Sequence, residues 1–154
     1  MRDFNDADKK KKQSRIKIPE NPAGLTDDLR ASLTDKVKAS LKEGNLPCGT
    51  AFKIARDAGV PNIAIGEIAD RLGIRVTNCQ IGCFKVDKIV YSDNLDKKVD
   101  EDILAKLETL KKNDALTCVN VFELARQLNL PPMAVANVAN DRNLKVHYCQ
   151  LGCF

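Results

Sequence analysis

The sequence holds a single histidine, no glycine-rich phosphate loop and no nucleophile elbow, and it lacks any run of about eighteen apolar residues. Each absence excludes something. A catalytic cysteine or serine needs a positioned base, and one histidine cannot serve a duplicated site, so the chain is expected not to be an enzyme. Without a long apolar run there is no candidate membrane helix, and a soluble protein without membrane partners is expected. The segment Met1 to Pro22 carries charge but no apolar stretch behind it, so it reads neither as a secretory signal nor as an amphipathic transit helix, and a cytoplasmic location is expected.

What is present is a duplication. The stretch Leu46 to Phe84 recurs without a gap, shifted by seventy residues, as Leu116 to Phe154, with fourteen of thirty-nine aligned pairs identical. All six cysteines fall inside it. Cys48, Cys79 and Cys83 match Cys118, Cys149 and Cys153, so C-x30-C-x3-C occurs twice, and the copies end in CQIGCF and CQLGCF. A repeat of this length sets the fold unit. It predicts a basic, disordered tail over 1–24, a first module over 25–91 and a second over 92–154, each near the lower limit for an independent core. The two modules are expected to pack as an intramolecular pseudo-dimer, with a monomeric chain as one outcome.

Charge is concentrated at the start. The residues before the first module carry Lys9, Lys10, Lys11, Lys12, Arg15 and Lys17, whereas the rest of the chain is nearly neutral. A basic arm neutralises phosphates and releases counterions, which makes these six residues candidate nucleic-acid contacts. A solvated leader is the alternative.

Thr26, Asp27 and Asp28 read as a helix start, followed by Leu29, Leu33, Val37 and Leu41 up to Gly44. In the second copy a helix is expected from about Asp100, through Ile103, Leu104, Leu107 and Leu110, ending at the Lys111 to Asp114 stretch. Between the copies, Ile89, Val90 and Tyr91 read as a strand or linker before a turn at Ser92 to Asn94. In the centre of each copy, Ala55, Gly59, Val60, Ile65 and Ile68 are matched by Ala125, Asn129, Leu130, Val135 and Val138. The small alanine lets two helices approach, and Gly or Asn tolerates the sharp turn between them.

On these residues each copy resembles the helix-turn-helix superfamily. The preceding helix and a β-like tail make it look like the winged-helix branch. The fold class implied is mainly α with short β hairpins, in two tandem winged-helix-like modules. The resemblance also implies a DNA-binding regulatory function, with double-stranded DNA as the expected nucleic-acid partner. In that family the second helix presents base-reading residues. Here these positions hold Pro61, Asn62, Ile63, Gly66, Glu67 and Asp70, then Pro131, Pro132, Met133, Ala136, Asn137 and Asn140. With the basic groups nearby, the candidate nucleic-acid residues are Asn62, Arg71, Arg75, Asn137, Asn140, Arg142 and Lys145. The acids of copy one suit DNA poorly. A protein-binding adaptor that docks through the same helices, without DNA, is the alternative.

The cysteines fall on the tail of each module. Ile74 to Gln80 alternates like a strand, and Gln80, Ile81 and Gly82 are expected to form a bulged hairpin that sets Cys79 opposite Cys83. Cys48 would join them from a strand between the first two helices. Three thiols make an incomplete site for zinc or an iron-sulfur cluster, because both usually take four ligands. His147 cannot complete both copies, since its counterpart is Thr77. The fourth ligand would come from solvent, a small molecule, a partner or the other copy. Cys48, Cys79, Cys83, Cys118, Cys149 and Cys153 are thus candidate metal ligands, with a thiol-disulfide switch and plain packing as the other two readings. Gln80 and Gln150, identical at the tip, are either backbone caps or recognition groups.

Overall fold

A computed structural model describes residues 18–83 and 97–153. The basic tail, the Ile89 to Tyr91 segment, Phe84 and Phe154 lie outside the described residues. The fold is mainly helical, with six helices among the described residues and one small two-stranded sheet. No helix of the described residues is long and apolar enough to cross a membrane.

In the first copy, α1 spans Asp27–Ala39. The Thr26 hydroxyl accepts from the Leu29 N–H, satisfying one of the donors that a helix start leaves free. Leu33 and Val37 form its fully buried stripe. The helix ends earlier than Gly44. Lys42 and Asn45 exchange two backbone hydrogen bonds of 2.8 and 2.9 Å around Glu43 and Gly44, both with positive φ. That is the backbone of a tight two-residue hairpin turn, and it stops the helix.

A short strand, β1 (Leu46–Pro47), leads into α2 (Cys48–Ala58). Left-handed Gly59 closes α2: its N–H donates to Arg56, and the Val60 N–H donates to Ala55. After Pro61 comes α3 (Asn62–Arg71), packed on α2 and on α1. Left-handed Gly73 then directs the chain into β2 (Val76–Thr77).

The second copy repeats this plan with α4 (Lys97–Lys112), α5 (Cys118–Gln127) and α6 (Pro132–Asp141). α5 packs on α6, and α6 on α4. The tight turn here uses left-handed Asn129, with the Leu130 N–H donating to Ala125 at 2.9 Å. Where copy one has a strand pair, copy two has a parallel bridge between Thr117 and His147.

The expected cysteine hairpin is not formed among the described residues. β2 pairs with β1 in parallel, Leu46 with Val76 and Pro47 with Thr77. β1 already occupies an edge of β2. Asn78 then takes a positive φ of 50°, and the Gly82 N–H donates to the Cys79 carbonyl at 3.0 Å. Among the described residues the chain folds into a closed turn and no returning strand pairs with β2.

The chain divides into two compact units. One comprises Met1–Asn78 together with Gln150–Phe154, and the other comprises Cys79–Cys149. The CQIGCF motif of copy one therefore belongs to the unit built from the helices of copy two. The motif of copy two, from Gln150 onward, belongs to the unit built from the helices of copy one. Leu33, Leu46, Ile65 and Leu151 are fully buried in the first unit; Ile81, Ile103, Leu107 and Val135 are fully buried in the second.

Candidate functional site

Helix α3 of copy one is nearly enclosed. Ala64, Ile65, Gly66, Glu67, Ile68 and Ala69 are all buried. Gly66 shows why the sequence needs a small residue there. A Cβ placed on it would lie 2.0 Å from the Leu151 carbonyl oxygen, so the backbone of the motif sits directly on the helix. Next to this contact, the Asn62 side-chain amide donates to Gln150 Oε1 at 2.9 Å. A Cβ on Gly152 would meet Ile63 Cδ1 at 3.0 Å and Ile18 Cδ1 at 2.7 Å. Gln150 therefore recognises a side chain of α3, while Gln80 is exposed.

Glu67 is the one buried charged residue among those described, at 3% exposure. Arg30 Nη2 donates to both of its oxygens, at 3.1 and 3.3 Å, and Arg71 Nη1 donates to Oε1 at 3.3 Å. The Asn21 N–H approaches at 3.4 Å. A buried carboxylate is tolerated when such partners replace its water. In the sequence Glu67 reads as an acid unfavourable to DNA; its spacing of four from Arg71 is the signal of an ion pair.

The candidate nucleic-acid residues disperse. Lys9, Lys10, Lys11, Lys12, Arg15 and Lys17 lie outside the described residues. Asn62 is half-buried and engaged by Gln150. Arg71 is half-exposed and shared between Glu67 and Glu20; its hydrogen bond at 2.7 Å and its charge hold the Glu20 carboxyl below the usual range. Arg75 is half-buried, and its carbonyl accepts from the Leu46 N–H at 2.8 Å. Asn137 is half-buried, whereas Asn140, Arg142 and Lys145 are exposed. Lys145 lines a surface groove of about 370 Å³ with Lys111, Asn143, His147, Asp114 and Leu116. His147 is engaged through its backbone, which donates to Leu116 at 2.9 Å and accepts from the Cys118 N–H at 3.0 Å.

The cysteines regroup by unit rather than by copy. Cys79, Cys83, Cys118 and Cys149 fall in one unit; Cys48 and Cys153 fall in the other. Among the described residues no three His, Cys, Asp or Glu side chains are placed to hold a metal ion. The trio expected in each copy is thus not assembled as a ligand set. What is assembled is a pair. The Cys83 thiol hydrogen-bonds to Cys79, and this bond, with the backbone donors of Ile81 and Cys83, pulls the Cys79 thiol down from 9.0 to about 6 against its burial and the charge of Cys149. The same bond, then burial and the charge on Cys79, push Cys83 up, with Cys118 and Cys149 adding in that direction. Cys79 is therefore a thiolate near neutrality, buried at 4% exposure, beside an exposed protonated thiol.

Neither family models nor curated proteins nor solved structures yield a match to this chain. Any functional reading rests on the geometry above.

Proposed function

We propose that this chain is a regulatory, non-enzymatic nucleic-acid-binding protein built on two helix-turn-helix modules, in which the cysteine motif covers the reading face of the first. The observation that carries the reading is the seating of Gln150, Leu151 and Gly152 on Asn62, Ile63 and Gly66. Those α3 positions would face base edges in a helix-turn-helix protein. Occupied by the motif, they cannot enter a groove. Removal of the motif would expose them, which makes the contact a control point.

Both copies support the module by turning tightly between two helices through a left-handed residue, Gly59 or Asn129. The exposed Arg142 and the groove bearing Lys111, Asn143, Lys145 and His147 supply phosphate-positioning groups that need no inserted helix. Asp114 opposes them at one edge.

The test is titration of a labelled random-sequence duplex with the full chain at several salt concentrations, alongside the Gln150→Ala, Leu151→Ala double variant, whose helicity is checked first. Weak, salt-dependent binding by the parent and at least about tenfold tighter binding by the variant are expected, with log affinity falling linearly in log salt. Absence of salt-dependent binding by both would overturn the reading. It would favour the adaptor, to which the burial of Ala64 through Ala69 already gives support, because a closed α3 face has no use for a groove.

A further inference from the structure

Cys79 opens a tight turn and Cys83 follows it directly. The Cys79–Gly82 turn is closed by a 3.0 Å backbone hydrogen bond, with Gly82 at a φ of 71°. A turn of this type brings the chain back on itself, so residues on either side of it come within reach. The Cys83 thiol uses that proximity to hydrogen-bond the Cys79 sulfur. A weaker contact links Cys83 Sγ to the Ile81 carbonyl at 4.0 Å.

We propose that Cys79 and Cys83 form a hydroperoxide-responsive thiol pair that closes to a disulfide inside the CQIGCF motif. Cys79 is the attacking sulfur and Cys83 the resolving one. The Cys79 thiolate attacks the distal oxygen of the hydroperoxide. A sulfur–oxygen bond forms, the oxygen–oxygen bond breaks, and the hydroxide or alkoxide leaves, taking a proton from solvent to become water or alcohol. Cys79 is then a sulfenic acid and no longer charged. That removes the thiolate hydrogen bond, the largest influence keeping the Cys83 proton in place, and the thiolate charge, leaving burial as the main remaining one. Cys83 releases its proton and attacks the Cys79 sulfur; the sulfur–sulfur bond forms as hydroxide departs and is protonated. In sum, two thiols lose two electrons and two hydrogens, and one hydroperoxide gains them.

Burial selects the oxidant. Cys79 is 4% exposed, so a small hydroperoxide suits it better than the bulk of a glutathione disulfide. The exposed sulfur, Cys83, is the one held protonated and so a poor attacker of disulfides. The inference deepens the regulatory reading above, but its chemistry is read without nucleic acid, so either can fail alone.

The experiment treats the reduced full chain with hydrogen peroxide, traps residual thiols at intervals and maps tryptic peptides by mass. Trypsin releases residues 76–85 as one peptide carrying both cysteines. That peptide should lose the mass of two hydrogens, at least about tenfold faster than any other cysteine is oxidised. In Cys83→Ser, Cys79 should instead gain oxygen, because no resolving thiol remains. Oxidised glutathione should act at least about tenfold more slowly than hydrogen peroxide. Linkage of Cys79 to Cys118 or Cys149 would overturn the proposal. So would prior oxidation of the other cysteines while this peptide keeps two free thiols, or a glutathione adduct on Cys83 forming first.

Discussion

The two copies take the same backbone path with different residues at its hardest points. Left-handed φ values recur at Gly44 and Asp114, Gly59 and Asn129, Gly73 and Asn143, Asn78 and Tyr148, and Gly82 and Gly152. Copy one uses glycine at four of these five positions. Copy two keeps glycine only at the last and elsewhere uses Asp, Asn or Tyr. Asn and Asp adopt this region with little penalty, but an aromatic side chain does not. Tyr148 is therefore the point where copy two is most strained, and at 71% exposure its ring gains little from packing. The copies differ again at α3 and α6. Copy one buries Glu67 among Arg30 and Arg71, while the aligned positions in copy two are Asn137, Asp100 and Asp141, a set that cannot repeat the ion pairs. Backbone topology has been kept by the duplication, and side-chain chemistry has been divided between its halves.

The largest expected effect concerns the thiolate. With Cys79 lowered to about 6, roughly 90% of it is ionised at pH 7, against about 1% for a thiol at 9.0. Thiolate ultraviolet absorbance should titrate with a midpoint near pH 6, and this step should vanish in Cys79→Ser. The sign for stability follows. Folding strengthens this acid, so its contribution is complete above the unfolded value near 9, falls as the pH drops toward 6 and is absent below that. Denaturant midpoints of wild type and Cys79→Ser should converge as the pH falls; a constant gap would refute the assignment.

Next comes the buried carboxylate. Glu67→Ala leaves Arg30, a charge partly solvated at 21% exposure, with only the 3.9 Å approach of Glu20, and should lower stability by about 3 kcal/mol in urea unfolding. Asn137→Ala, its counterpart, should cost below about 1 kcal/mol. Equal effects would erase the contrast between copies. Gly66→Ala forces a methyl against the Leu151 carbonyl and should cost about 2 kcal/mol, although alanine is the better helix former. The reverse exchange in copy two, Ala136→Gly, should cost about 1 kcal/mol through helix propensity. Smallest is a gain: Tyr148→Asn should stabilise by about 0.5 kcal/mol, measured as a raised unfolding midpoint, because it relieves the left-handed backbone.

Much of the helical plan was legible in local pattern. The Thr26 cap, the Leu33 and Val37 stripe and the turns at Gly59 and Asn129 are short-range features, and α1, α2, α3, α5 and α6 follow from them. The early end of α1 is not legible in the sequence because the Lys42–Asn45 turn competes with helix continuation over the same residues. Alternation at Ile74 to Gln80 does not say which neighbour a strand will take; β1, thirty residues earlier in register, takes it in place of the expected hairpin partner. The identity of Gln80 and Gln150 pointed at the motif, but not at the amide of Asn62.

The sequence by itself determined the duplication, the helices with their caps and left-handed turns, and the confinement of every cysteine to one repeated pattern, because these depend on residues close along the chain. Only the tertiary structure decided that each motif joins the unit of the other copy, that Gly66 receives the Leu151 backbone, and that Cys79 answers to Cys83 within a group drawn from both copies. Those outcomes depend on which buried surfaces meet. Two near-identical motifs offer the chain two nearly equivalent places to put each one, and the choice between them is made by packing, which no local pattern records.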